Sequence, residues 1–225
     1  MLRRLHDREE AGRLLARKLG KYASRGDVLV LGLPRGGVAV ACEISRVLKA
    51  PLDVFLVRKL GVPGYEELAM GAISMGGLQI IYCNMAEEFH VSQAEIDRVV
   101  RAEQEELQRS EYVYRGARPF PDVRGSTLIL VDDGIATGST MRAAIAALRK
   151  LHPAHIVVAA GVAPLSTYLI LRSEADEVVC LLTPREFYAV GLFYENFPQI
   201  ADEDVRRYLE LARNTDQAGV LVQRM

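Results

Sequence analysis

Residues 127–148, TLILVDDGIATGSTMRAAIAAL, join an apolar run, two adjacent acids, a loop of small residues and an alanine-rich run. The apolar run is typical of a buried strand, and the last run has the composition of a helix. Two like charges at the end of a buried strand must be solvated or paired, and they lower stability unless a ligand uses them. We therefore expect Asp132 and Asp133 to serve a ligand.

Apolar strands alternate with helices along the rest of the chain. We expect further strands at residues 27–33, 52–59, 68–74, 78–83, 155–162 and 177–182. We expect helices at residues 6–24, 38–48, 92–114, 138–150, 164–173 and 202–213. Continuously apolar strands that alternate with helices predict an α/β fold with a parallel, Rossmann-like sheet. Ligands of such sheets bind at the carboxyl ends of the strands, where Arg35, Lys59 and the two acids would meet.

The composition indicates a globular protein without a membrane span. The 225 residues are 50% hydrophobic and 25% charged, and they suit one domain, with a core at about 25–182 and a tail at 215–225. A net charge of −1 gives no reason to expect nucleic-acid binding, and no apolar run reaches the length of a membrane span. Three scattered cysteines, Cys42, Cys83 and Cys180, argue against disulfides or zinc and favour the cytoplasm.

The loop after the acids has the properties of a phosphate-binding site. It consists of Gly134, Ile135, Ala136, Thr137, Gly138, Ser139 and Thr140. A helix N-terminus offers unpaired N–H groups to a phosphate, and small residues let the backbone approach its oxygens. The preceding acids can accept hydrogen bonds from a vicinal diol, or help to hold a divalent cation through water. Together these features predict a ribose 5-phosphate site.

This run resembles the 5-phosphoribosyl 1-pyrophosphate (PRPP) signature of the type I phosphoribosyltransferases. The shared pattern is an apolar strand, two acids, three variable residues, then Thr-Gly and a small residue before Thr. The resemblance implies transfer of a phosphoribosyl group from PRPP to a nitrogenous base or amine, with release of pyrophosphate. It also implies Mg²⁺, held near Asp132 and Asp133 through water and PRPP. The alternative is a Rossmann-like turn whose acids cap a helix.

Two further motifs match the family's pyrophosphate-binding positions. In GLPRGGVAVA, the resemblance implies a cis peptide between Pro34 and Arg35, contact of Arg35 with pyrophosphate, and close backbone approach at Gly36 and Gly37. In VRKLGVPGYEELAMGA, it implies that Arg58 and Lys59 neutralise pyrophosphate before a mobile lid at residues 59–67. Alone, the first motif could be a tight turn and the second a solvated charge pair.

The resemblance also suggests how the acceptor is held. It implies a small hood formed by the N-terminal helix and residues of about 183–214, in which an aromatic residue stacks on the base. Phe187 and Tyr188 are the candidates for this residue. The alternative is that these aromatic side chains pack inside the hood. Glu66 or Glu67 on the lid are candidates for proton handling. Ala136 stands where 6-oxopurine enzymes carry an acid, and this local pattern is similar to adenine phosphoribosyltransferases.

The acceptor, the pathway within nucleotide and nucleoside metabolism and the oligomeric state stay open, and a homodimer is one option. The main alternative function is a PRPP-sensing regulator of the same fold that binds nucleic acid. No segment resembles a DNA-reading module, so we expect small-molecule partners without nucleic acid or membrane.

Overall fold

The computed structural model describes residues 4–222. Its helices are α1 (Arg8–Lys18), α2 (Gly36–Leu48), α3 (Cys83–Glu88), α4 (Gln93–Arg115), α5 (Ser139–Arg149), α6 (Leu165–Glu174) and α7 (Asp202–Val222). Its strands are β1 (Val28–Gly32), β2 (Leu52–Val54), β3 (Val57–Val62), β4 (Tyr65–Ser74), β5 (Leu78–Ile81), β6 (Thr127–Asp132), β7 (His155–Val162) and β8 (Glu177–Leu182). The chain divides into two compact units. The second unit contains Phe55–Asp122 and Ser139–His152, and the first contains the remaining described residues.

The first unit contains a parallel sheet. In the described part of the chain, five strands pair in the order β2-β1-β6-β7-β8, and all neighbours run parallel. Strands β6 and β7 are buried along almost their whole length, which explains why their sequences are continuously apolar. The predicted α/β fold with a parallel sheet is therefore confirmed.

The order of the strands reverses between β1 and β6, which are hydrogen-bonded neighbours. The N–H of Leu33 continues this pairing by donating to the carbonyl of Val131 at 2.9 Å. Open α/β sheets bind ligands at such a reversal, outside the carboxyl ends of the strands. The segments after β1 and after β6 are therefore the first place to look for a site.

Helices α1, α2 and α7 belong to the same unit. Helix α1 begins after Asp7, whose carboxylate accepts the N–H of Glu10 at 2.7 Å, and the helix packs against α2. Helix α2 packs on β1, β2 and β6 and begins at Gly36, two residues before its predicted start. Helix α7 runs to Val222, past its predicted end near Arg213, and residues 223–225 of the predicted tail lie outside the described range.

The second unit contains an antiparallel sheet, in which β4 and β5 were predicted as strands and β3 replaces the predicted end of strand 52–59 and the start of the loop after it. Among the described residues, three strands pair in the order β3-β4-β5, with α4 and α5 packed on β3 and β4. The predicted strand 52–59 is wrong, because the chain leaves the parallel sheet after Val54. At the break, Leu56 accepts the N–H of Met75 through its carbonyl and donates its own N–H to Met75 Sδ.

The segment predicted as a lid forms a β-hairpin. Strands β3 and β4 are joined by Pro63 and Gly64, and Gly64 has the positive φ of 79° that glycine adopts without strain. The register shifts on both sides of Gly61, which marks a bulge in β3. The prediction that Lys59 ends a parallel strand is wrong, since Lys59 lies inside β3 and pairs with Ala72.

Two other local predictions for this unit hold, whereas helix α3 was not predicted and begins at Cys83, the last residue of the predicted strand 78–83. Strands β4 and β5 form the expected hairpin around Gly76 and Gly77, both with positive φ. Helix α4 begins with a capping box in which Ser92 and Glu95 bond each other's backbone N–H groups. Across residues 4–222, every helix is too short or too polar to cross a membrane.

Candidate functional site

The two acids that follow the apolar strand have different surroundings. Asp132, the last residue of β6, is half-buried, and its Oδ1 accepts the N–H of Asp133 at 2.9 Å. Loss of solvation raises the pKa of the Asp132 carboxyl well above its ordinary range, and the charge of Asp133 raises it further. Asp132 is therefore costly to ionise unless a cation or a donor group compensates its charge.

Asp133 is compensated within the protein. Its side chain is buried, and Oδ2 accepts the Nε–H of Arg8 at 2.7 Å. Its backbone carbonyl accepts the hydroxyl of Tyr194 at 2.6 Å. The two acids therefore occupy different positions: Asp133 is anchored by an arginine, while Asp132 lies at the strand end.

The turn between β1 and α2 lies directly against the acids. The peptide between Pro34 and Arg35 is cis, as the resemblance to the family implied. A Cβ atom on Gly36 would lie 1.9 Å from Asp133 Oδ2, and one on Gly37 would lie 2.5 Å from the carbonyl oxygen of Val131. Both glycines are therefore needed for the turn to approach the end of β6, whether or not pyrophosphate also approaches them.

Arg35 extends from this turn toward the surface. Its guanidinium Nη1 lies 3.9 Å from Asp202 Oδ1, and both side chains are about half exposed. An exposed pair at this distance contributes little to stability, so it leaves the arginine able to exchange partners. The contact of Arg35 with pyrophosphate stays a prediction.

The loop after the acids is held at two points. Ile135 is buried and donates its N–H to the carbonyl of Val162 at 2.8 Å. The buried hydroxyl of Thr167, on α6, donates to the carbonyl of Ala136 at 2.8 Å. The loop ends at Gly138, whose φ is 80°, before α5 begins at Ser139. These contacts leave Ala136 and Thr137 exposed in a fixed backbone, which suits the predicted phosphate site.

A cavity of about 440 Å³ opens in the first unit beside Asp133. The residues around it come from α1, the turn after β1, the loop after β6 and the predicted hood, namely Arg8, Arg35, Gly36, Asp133, Val190, Phe197, Pro198, Gln199 and Ile200. The structure therefore gathers candidate ligand residues that are far apart in the sequence.

In the second unit, Lys59 lies with the first residues of α5. A cavity of about 350 Å³ is lined by Lys59, Ser139 and Thr140, together with Arg142 and Asn84 among others. The predicted pyrophosphate-binding lysine and the end of the predicted phosphate loop therefore line the same cavity.

Arg58 faces a different neighbour. Its Nε–H donates to a carboxylate oxygen of Glu103 on α4, and the two residues line a cavity of about 630 Å³ with Lys59 and Glu66. Glu66 accepts the N–H of Gly64 at 3.2 Å and so supports the hairpin turn. The side chain of Glu67 lies outside the described residues. The pyrophosphate contact of Arg58 and the proton-handling role of Glu66 stay predictions.

The two aromatic candidates for base binding differ in exposure. Phe187 is half-buried and stacks on Phe193, with ring centroids 5.4 Å apart and planes 14° apart. Tyr188 is 84% exposed. The stack shows that Phe187 packs inside the hood, and its contact with an acceptor stays a prediction.

Three residues that support the first unit's site were missed in the sequence. Arg8, Thr167 and Tyr194 bond Asp133 or the loop after it, yet they lie 125, 31 and 61 residues from their partners. Glu103 was missed for the same reason in the second unit, since it is 45 residues from Arg58. No local pattern distinguishes these residues from the other polar residues of their helices and loops.

The acid pair fits a divalent cation that is held mainly by its ligand. Among the side chains that the structure describes, no three of His, Cys, Asp or Glu gather in a metal-binding cluster. Mg²⁺ prefers oxygen ligands and commonly binds one or two carboxylates together with substrate phosphates and water. The carboxylate of Asp132 has the oxygen donors that such a shared site requires.

Comparison with known proteins gives the family. A model of the phosphoribosyl transferase domain matches residues 2–192. A protein of Mycobacterium tuberculosis named "Putative phosphoribosyl transferase" is 43% identical over 216 residues, which are 96% of this chain and 48% of that protein. The chain thus spans about half the length of the curated relatives that it matches.

Solved structures agree on the fold. TT1426 from Thermus thermophilus is 40% identical with a TM-score of 0.82, over 92% of this chain and 97% of that one. AQ2163 from Aquifex aeolicus, at 10% identity and a TM-score of 0.50 over 90% of this chain and 85% of that one, is similar in fold alone. With the acid pair and the turn after β1 at the reversal of the parallel sheet, this chain belongs to the type I phosphoribosyltransferase family.

Proposed function

We propose that this chain transfers the 5-phosphoribosyl group of PRPP to a nitrogenous base or amine, with release of pyrophosphate and dependence on Mg²⁺. The observation that carries the proposal is the contact between the acid pair and the Arg35–Gly37 turn, at the reversal of the parallel sheet. In this arrangement the carboxylates of Asp132 and Asp133 would bind a ribose diol, and the guanidinium of Arg35 would bind pyrophosphate. The family membership supports the same reaction class.

In the proposed reaction the bond from C1 of the ribose to the pyrophosphate oxygen breaks, and its electron pair leaves with pyrophosphate. The acceptor nitrogen forms the new bond to C1, and its proton passes to water or to the released pyrophosphate. Asp132 would accept hydrogen bonds from the ribose hydroxyls. The N–H groups of the loop 134–138 would hold the 5′-phosphate, except that of Ile135, which bonds the carbonyl of Val162. The guanidinium of Arg35 would stabilise the charge that develops on pyrophosphate.

Mg²⁺ would be held through water by the acid pair and by the phosphates of PRPP. When bound, it would neutralise part of the pyrophosphate charge. We further propose that Lys59 and Arg58 contribute positive charge to pyrophosphate binding.

We infer the class of acceptor from Ala136, which stands where the 6-oxopurine enzymes of the family carry an acid. Ala136 cannot take a proton from a 6-oxopurine, so we propose that guanine, hypoxanthine and xanthine are poor acceptors. Adenine, or an acceptor outside the purines, would be preferred. Ala136 is exposed on its anchored loop, which leaves it accessible to an incoming ligand.

The test is pyrophosphate release from PRPP with a panel of free bases and amines, with and without Mg²⁺. Asp132→Asn is the matched inactive control, because it removes the charge with little change in shape. Release that depends on PRPP, Mg²⁺ and one acceptor class supports the proposal. Tight PRPP binding without release for any acceptor would favour the PRPP-sensing regulator, and no PRPP binding would contradict both.

A further inference from the structure

We propose that Arg8 is a positioning residue for the phosphoribosyl transfer. By holding Oδ2 of Asp133, it presents the other carboxylate oxygen, Oδ1, to the ligand in the 440 Å³ cavity. The inference rests on the proposed function and assigns the N-terminal helix α1 a part in the active site.

The guanidinium of Arg8 is held on three sides. Its Nε donates to Asp133 Oδ2 at 2.7 Å, and its Nη1 donates to the carbonyl of Pro198 at 2.7 Å. Its Cζ lies 3.7 Å from the centroid of the Phe197 ring, which covers the cation. Arg8 and Asp133 are each 8% exposed, so solvent hardly competes for these bonds.

This arrangement orients Asp133 rather than merely neutralising it. Arg8 bonds Oδ2, and the backbone of Gly36 lies nearer to Oδ2 than to Oδ1, since a Cβ atom on Gly36 would lie 1.9 Å from Oδ2 and 3.0 Å from Oδ1. Asp133 also lines the cavity that contains Arg35 and Gln199. Oδ1 is therefore the acceptor atom that this carboxylate can offer to a hydroxyl group of a bound ligand.

The geometry requires arginine rather than a positive charge in general. One planar group bonds a carboxylate and a carbonyl through different nitrogens while its face covers an aromatic ring. A lysine ammonium is a compact charge that cannot reproduce this fork and stack. Apolar residues in place of a buried ion pair often give a protein equal or greater stability. Stability alone is therefore a weak explanation for the presence of the Arg8–Asp133 pair.

The experiment compares the wild type with Arg8→Lys, Arg8→Met and the double variant Arg8→Met with Asp133→Asn. Arg13→Met is the matched control, because Arg13 lies on the same helix and forms an exposed pair with Glu9. Calorimetric titration with PRPP and Mg²⁺ separates the two roles. The stoichiometry reports the folded fraction, and Kd reports the geometry of the site in the folded molecules.

We expect Arg8→Lys to bind with full stoichiometry but a Kd raised about 10- to 100-fold, the scale of effect of a small misplacement. The double variant should unfold at a higher temperature than Arg8→Met, since the buried charge is gone, yet bind PRPP as weakly. Arg13→Met should match the wild type in both measurements.

Wild-type Kd in Arg8→Lys, or in the double variant, would overturn the positioning role and leave Arg8 a structural residue. A wild-type protein that binds no PRPP would overturn the proposed function, and the role of Arg8 with it. The two failures are therefore distinct.

Discussion

Replacing Gly36 with alanine tests whether the acid pair depends on the space beside the first turn of α2. A Cβ atom there would lie 1.9 Å from Asp133 Oδ2 and 2.5 Å from its Cγ. A carbon and an oxygen in contact stay about 3.3 Å apart, so the carboxylate would have to withdraw by roughly 1.4 Å. A movement of that size breaks the 2.7 Å bond from Arg8 to Asp133.

The loss in free energy of unfolding is expected between two limits. Overpacking an interior costs about 1–3 kcal/mol, and leaving a buried charge without its partner costs about 3–5 kcal/mol. For a chain of this length, a loss of roughly 3 kcal/mol lowers Tm by about 6–12 °C. The Kd for PRPP should also rise by up to about 100-fold, because Asp133 no longer holds its position.

Thermal unfolding and PRPP calorimetry measure the two effects on the same preparation. Gly26→Ala is the control, since a Cβ atom there meets nothing within 4 Å. If Gly36→Ala unfolds at the same temperature as Gly26→Ala and binds PRPP equally well, the turn tolerates a side chain, and the reasoning about the acid pair is wrong.

The remaining predictions concern single side chains. Asp132→Asn should keep or raise Tm while reducing PRPP-dependent release of pyrophosphate by at least about 100-fold. Asp133→Asn should lower Tm, because the buried Arg8 loses its negatively charged partner. Thr167→Val should cost about 1 kcal/mol and raise the KM for PRPP, because the carbonyl of Ala136 loses its donor. Guanine and hypoxanthine should react about 10²–10⁴ times more slowly than adenine in a competition assay, and equal rates would contradict the argument from the missing acid. A hydrogen bond from a neighbouring arginine lowers the pKa of Asp27 to about 2. Since the unfolded pKa is higher, at about 3.9, the stabilisation is present above about pH 4 and lost toward pH 2, and the Tm difference from Asp27→Asn should shrink over that range.

The parallel sheet was predictable because its central strands β1, β6 and β7 are mostly buried and are therefore apolar along most of their length. The acid pair and the small loop were predictable because they lie in one continuous motif, whereas the cis peptide was implied only by the resemblance to the family. The hairpin β3–β4 was not, since Gly61, Pro63 and Gly64 are typical of a loop. Only pairing with β4 and the break at Leu56 turn that segment into a strand. The composition of this segment indicated a flexible loop, whereas in the fold it pairs with β4 as a strand.

The adjacent acids show the same limit in energetic terms. From the sequence alone, two like charges at a strand end imply that neutralising both should relieve repulsion. This expectation does not hold for Asp133, because Arg8 compensates its charge in a buried contact. The two residues are 125 positions apart in the sequence. Removing the charge of Asp133 then leaves the arginine unpaired, while removing that of Asp132 relieves both desolvation and repulsion. The two single substitutions should therefore change stability in opposite directions, and an Asp133→Asn variant with a Tm above that of the wild type would contradict this division.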